Sequence, residues 1–148
     1  MPTFLIVLLL APMAAGDPLT SGDLSIVAEG FLFTEGPLWV KGQGLLFSDI
    51  PADAIFRTDK TAWRTPSGES NGLTLDPQGR LIAAEHKNRR LSRTEKDGAV
   101  SVLAERYENK RLNSPNDVVA RSDGFLFFTD PPYGLKGGLG GPEAELDF

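Results

Sequence analysis

The sequence predicts an all-β fold, a β-propeller of which the chain supplies about the first two and a half to three blades. Three observations predict it. First, EGPLWVKGQGLLFSD (Glu35 to Asp49), NGLTLDPQGRLIAAE (Asn71 to Glu85) and NDVVARSDGFLFFTD (Asn116 to Asp130) superpose without a gap, each opening on a side-chain oxygen, with a leucine ten positions on at Leu45, Leu81 and Leu126. Second, their starts lie 36 and 45 residues apart, close to the period of about 40–50 residues that suits four short strands per blade. Third, 16 glycines and 11 prolines divide the chain into short apolar runs, and no stretch carries a convincing helical period. A unit of this kind cannot bury its apolar face alone, so copies stack.

Taken in order, TFLIVLLLAPMAAG is apolar but too short to span a bilayer, and Ala14-Ala15-Gly16 is a small-residue run of the kind signal peptidases cut. Residues 1–16 therefore read as a signal peptide, with a buried first strand as the alternative, and residues 17–148 as the propeller part. A secreted or periplasmic location follows, or a cytoplasmic one if the signal reading fails. LSIVAEG (Leu24–Gly30), PLWV, LLFSDI and AIFRTD are expected to make the first blade, with turns at Lys41–Gly44 and Pro51–Asp53. LTLD, RLIAAEH, RLSRTE and AVSVLAERY make the second, with turns at Asp76–Gly79 and Lys96–Gly98. DVVA and FLFFTD, around Arg121–Gly124, begin the third. Two and a half blades cannot close a ring, which takes about four to eight, so the chain is expected to be the N-terminal part of a longer protein.

Composition narrows the partners. A net charge of −5 argues against nucleic acid, which needs a basic footprint. Beyond the leader no run reaches the ~20 apolar residues of a membrane helix, so no membrane partner is expected once the leader is removed. With no cysteine, thiol chemistry and disulfides are excluded. The glycine run Gly137–Gly141 lacks the Gly-Lys-Ser/Thr of a phosphate loop and reads as a loop or linker.

The chemistry falls on the first position of the repeat. In a propeller the first strand of each blade lines the central channel, so Glu35, Asn71 and Asn116 are expected to converge there. One carboxylate and two neutral amide oxygens suit a hard cation such as Ca²⁺, which takes about six to eight oxygens; simple turn chemistry is the alternative. The acids Asp49, Glu85 and Asp130 close the second strand, which runs back to the same mouth. His86, the single histidine, and the loop Asp130-Pro131-Pro132-Tyr133-Gly134 belong beside them. No G-x-S-x-G elbow exists for a Ser-His-Asp triad, so His86 reads as a hydrogen-bonding wall residue.

TEGPLWV, SNGLTLDPQGRLIAAEHKNRR and LNSPNDVVARSDGFLFFTDPPYGL together resemble the family of gluconolactonases, senescence marker protein and luciferin-regenerating enzyme, from about Phe31 onward. The resemblance implies a six-bladed β-propeller with a divalent cation, most often Ca²⁺, in its channel, hydrolysing sugar lactones. Glu35 matches the first-blade metal ligand. Asn116 matches an asparagine that binds metal or contacts substrate. Asn71, His86, Asp130 and Tyr133 would then shape the substrate pocket. The family draws an Asn and an acid/base Asp from later blades, so no catalytic residue is assigned within these residues. Ser114 stands where some animal members carry a substrate-binding arginine. A non-catalytic propeller binding module, or an inactive fragment, is the alternative function.

Overall fold

A computed structural model describes residues 24–137 and 143–146; the leader and most of the Gly137–Gly141 run lie outside the described residues. The architecture is all-β. Strands β1 (Thr34–Val40), β2 (Gly44–Asp49), β3 (Ala54–Arg57) and β4 (Ala62–Arg64) form one antiparallel four-stranded sheet in sequential order. Strands β5 (Ser70–Leu75), β6 (Leu81–Glu85), β7 (Arg90–Thr94) and β8 (Val100–Ala104) form a second of the same order. A small hairpin of β9 (Arg106–Tyr107) and β10 (Lys110–Arg111) follows, its turn made by Glu108 and Asn109, both at positive φ. Then come β11 (Val118–Ala120) and β12 (Leu126–Phe128), paired antiparallel, and a single 3₁₀ turn at Pro132–Gly134. Each up-and-down sheet is a propeller blade. No helix among the described residues is long and apolar enough to cross a membrane.

The strands follow from pleat alternation. In β6, all five residues of LIAAE are buried, because a middle strand of a stacked blade has a neighbour on each face. Leu81 and Ala83 join Val40, Leu46, Ile55 and Leu73 between the first and second blades. Ile82 and Ala84 turn the other way and join Leu91 and Val118 between the second and third. Each fully buried aliphatic side chain of this kind contributes about 1.5–3 kcal/mol. The β5–β6 turn is built by Asp76, whose Oδ1 accepts the N–H groups of Gln78 and Arg80, both at 2.9 Å, while Gly79 takes φ +75°, a conformation that favours glycine.

Two expectations are corrected. Leu24–Gly30 is not the first strand of the first blade: it forms no strand, and Leu24, Ile26 and Val27 are exposed. Apolar character without a hydrogen-bonding neighbour does not make a strand. The fourth strand of that blade is instead Ala62–Arg64, against β3. The run AVSVLAERY is also broken, with β8 ending at Ala104 and Arg106–Tyr107 turning into the separate hairpin.

Candidate functional site

The starts of the three repeats sit side by side, and glycine is the reason they can. Gly72 N–H donates to the Asn116 carbonyl at 2.7 Å, and a Cβ on Gly72 would lie 2.7 Å from Asp117 Cα and 2.8 Å from Asn116 O. Gly36, at φ +57°, abuts the Asn71 carbonyl and Gly72 in the same way. Ser48 Oγ completes the seam by donating to Asn71 O at 2.8 Å while contacting Ser70 Oγ at 2.9 Å. Glu35, Asn71 and Asn116, each adjoining a residue of this pinch, therefore occupy adjacent inner strands or their entries. Neither the Glu35 carboxylate nor the Asn116 side-chain amide is engaged by another described residue. Asn71 is buried, and its amide nitrogen lies 3.4 Å from His86 Nε2. Burial pushes the His86 imidazole down from its ordinary value, so it is neutral at pH 7.

In the first two blades the repeat-final acid stands opposite the residue just before the repeat start, Thr34 facing Asp49 and Ser70 facing Glu85. The repeat-final carboxylates are spent on structure. Asp49 accepts the N–H groups of Leu32 and Phe33 at 2.9 and 3.0 Å. Asp130, two residues past the end of β12, accepts Asn113 N–H on Oδ2 at 2.7 Å. In both blades the acid thus anchors the chain where it enters the same blade. The second blade departs from this: Glu85 is fully buried and receives Arg64 Nη2 at 2.6 Å, Arg90 Nε at 2.7 Å, Asn88 Nδ2 at 2.6 Å and the Ser92 hydroxyl. Its entry is held by Asp53, in the turn after β2, whose Oδ1 accepts Ser67 N–H at 3.0 Å and Glu69 N–H at 2.8 Å.

An open depression of about 520 Å³ is lined by Asn116, Thr129, Asp130, Pro131 and Tyr133. It gathers three of the residues expected from sequence. Tyr133 is 79% exposed at its edge. Asp130 contributes wall, while its Oδ1 is buried without a hydrogen-bond partner. Burial pushes the Asp130 carboxyl up, against the pull of the Asn113 N–H and the Arg89 guanidinium. His86 sits behind this wall, since a Cβ on Gly134 would lie 2.9 Å from His86 Cβ. Sequence reasoning did not foresee the part that three residues play in building the wall. Arg89 Nε donates to the carbonyls of Leu112 and Asn113 at 2.6 and 3.1 Å, Asn113 Nδ2 donates to Asp130 O at 3.2 Å, and Ser114 is bonded to both ends of the Pro131–Gly134 loop.

With this geometry in place, comparison with known proteins decides the family. Residues 33–142 match the family described as SMP-30/Gluconolactonase/LRE-like region. The chain belongs to this family. Among relatives of the SMP-30/gluconolactonase family, a gluconolactonase of Zymomonas mobilis subsp. mobilis is 39% identical over 67 residues, 45% of this chain and 19% of its own length. A solved gluconolactonase from Xanthomonas campestris superposes with a TM-score of 0.69 at 36% identity, over 74% of this chain and 39% of the other. The virginiamycin B lyase of Staphylococcus aureus, at 18% identity and a TM-score of 0.50 over 66% of this chain and 34% of its own, shares the fold alone. This chain thus spans well under half the length of each of these relatives.

Proposed function

We propose that these blades form the metal- and substrate-binding part of a calcium-dependent sugar-lactone hydrolase. What carries the proposal is that two oxygen donors, the Glu35 carboxylate and the Asn116 amide, are engaged by no other described residue and sit on inner elements joined by the Gly36 and Gly72 contacts. These donors fit a hard cation in kind. Among the described residues no group of three or more His, Cys, Asp or Glu gathers where it could hold a metal ion, so the donor chemistry carries the assignment: carboxylate and amide oxygens are of the types Ca²⁺ takes. Glu35 would hold the cation, and Asn116 would hold it or orient the lactone carbonyl. A bound divalent cation supplies Lewis-acid stabilisation of the charge that grows on a carbonyl oxygen under attack by water.

The remaining residues bind and orient. Tyr133 offers an exposed aromatic face at the edge of the depression, of the amphipathic kind that packs on a sugar ring while its hydroxyl hydrogen-bonds. His86, kept neutral by burial, adds no positive charge beside the cation and contacts the Asn71 amide at 3.4 Å. Asp130 completes the wall, and the buried Asn71 stands behind it against His86.

Calorimetric titration with Ca²⁺ of the protein carrying the later blades as well tests this reading. Glu35→Gln should weaken binding by about tenfold or more, because it removes the one formal negative charge that these three positions offer. Asp76→Asn, which alters only the β5–β6 turn, should leave the affinity unchanged. Equal affinity for the wild type and Glu35→Gln removes Glu35 from the site, and no calcium binding at all by the wild type overturns the metal reading.

A further inference from the structure

We propose that Ser114 is a positioning residue that sets the Asp130–Gly134 loop, and through it Tyr133, against the ligand. Ser114 is fully buried and never reaches the depression. Its hydroxyl uses one donor and one acceptor, the whole of what this loop's neck requires. Ser114 Oγ donates to Pro131 O at 2.5 Å and accepts Gly134 N–H at 2.8 Å, while its backbone N–H also donates to Pro131 O at 3.2 Å. The hydroxyl thus bridges residues 131 and 134, and Tyr133 is carried on the short arc between them. The arc is tightened from within, since Leu135 N–H donates to Pro132 O at 3.0 Å and the Leu135 side chain is buried.

Steric fit reinforces the polar clamp. Gly134 packs so closely that a Cβ there would meet Ser114 Cβ at 2.9 Å, His86 Cβ at 2.9 Å and His86 Cγ at 3.0 Å. Tyr133 has almost no burial of its own to hold it; its place relative to Asn116, two residues beyond Ser114, is inherited from this neck. Ser114 thus acts on the depression at one remove, through the Tyr133 ring that the neck carries.

The inference rests on the lactone reading for its ligand, and two separate readouts keep the two apart. The first needs no ligand: amide hydrogen exchange at Gly134 in Ser114→Ala should accelerate by about tenfold or more, because its acceptor is gone, with exchange in β5–β7 unchanged. Because the chain holds only two tyrosines, the Tyr133 ring resonances can be isolated in a Tyr107→Phe background, and they should shift in Ser114→Ala and in Gly134→Ala alike. The second readout is binding of glucono-lactam, the amide analogue that resists hydrolysis, in the presence of Ca²⁺. Tyr133→Ala and Ser114→Ala should each weaken binding by about tenfold, and the double variant no more than either, since residues acting as a unit are non-additive. Unchanged Gly134 exchange in Ser114→Ala overturns the clamp. So does a multiplicative loss in the double variant, or a Ser114→Ala affinity equal to the wild type. Failure of the wild type to bind glucono-lactam would sink the lactone reading and leave the clamp to be decided by exchange and by the Tyr133 signal.

Discussion

Glu85 shows how much one buried carboxylate can carry. Burial alone would push its carboxyl up, but Arg90, Ser92, Asn88 and Arg64 together outweigh that and hold it below the ordinary Glu range. A carboxyl whose folded value is depressed contributes stability that is fully present above its unfolded value and is lost as pH falls through the folded one. That places the loss below about pH 4.5, the ordinary value for Glu. Asp130, raised by burial, has the opposite sign: its contribution is full below the ordinary Asp value and declines as pH rises through the folded one. Glu85→Gln leaves Arg64 and Arg90 without their counter-charge, and should cost about 3–5 kcal/mol at pH 7. Urea melts at about pH 7, 4.5 and 3 should also show a flatter acid limb in Glu85→Gln than in the wild type. An unchanged acid limb would remove Glu85 as a source of the acid sensitivity. The residue itself was visible in sequence as a repeat position, but its role was not. Arg64 reaches it from the preceding blade, and no spacing along the chain announces a contact made across a seam.

At the scale of elements, the inner-strand seam makes a sharp prediction about glycine. Gly72 has no positive φ to protect, so the cost of a methyl there is steric: it would press on the Asn116 carbonyl and the Asp117 backbone, neither of which is a flexible side-chain end. Gly72→Ala should destabilise by about 1–3 kcal/mol as an overpacked contact. Gly79→Ala, at φ +75° but in open space, should cost about 1 kcal/mol from backbone strain alone. Chemical denaturation of the pair measures the difference, and a Gly72→Ala no worse than Gly79→Ala would remove the seam as a close contact. Much of the element plan was legible because the repeat fixes phase: β1, β2, β5, β6, β11 and β12 fall where the three aligned segments put them. Ala62–Arg64 was not legible, being three residues long with the turn residues Thr65-Pro66 directly after it. Leu24–Gly30 read as a strand because propensity describes a residue's fitness for a sheet, not the presence of a sheet beside it. The adjacency of the three repeat starts was legible for the same reason as the strands, whereas Asn113 and Ser114 act through Asp130, Pro131 and Gly134, which only the fold brings to them.

On the scale of the whole molecule, the two complete blades and the β11–β12 pair differ in how well they are covered. Val119, Phe125 and Phe127 are each more than half exposed on or beside that pair, and Arg121 lies over the Phe125 and Phe127 rings at 4.9 and 5.8 Å. An unpaired strand edge beside exposed aromatics attracts partners. The 148-residue chain should therefore associate with rising concentration on a sizing column, and Phe127→Lys should reduce that association. A wild-type chain that stays monomeric at high micromolar concentration contradicts this. The entry anchors described for each blade also bear on the order in which the molecule is made. Asp49 and Asp130 each latch onto backbone of their own blade, but the second blade's entry is closed by Asp53 and its buried acid is met by Arg64, both from the first. A ribosome delivers the first blade before the second, so the second emerges onto a neighbour that already holds its latch. Those two blades should then fold as one cooperative unit, with the pair β11–β12 joining it last.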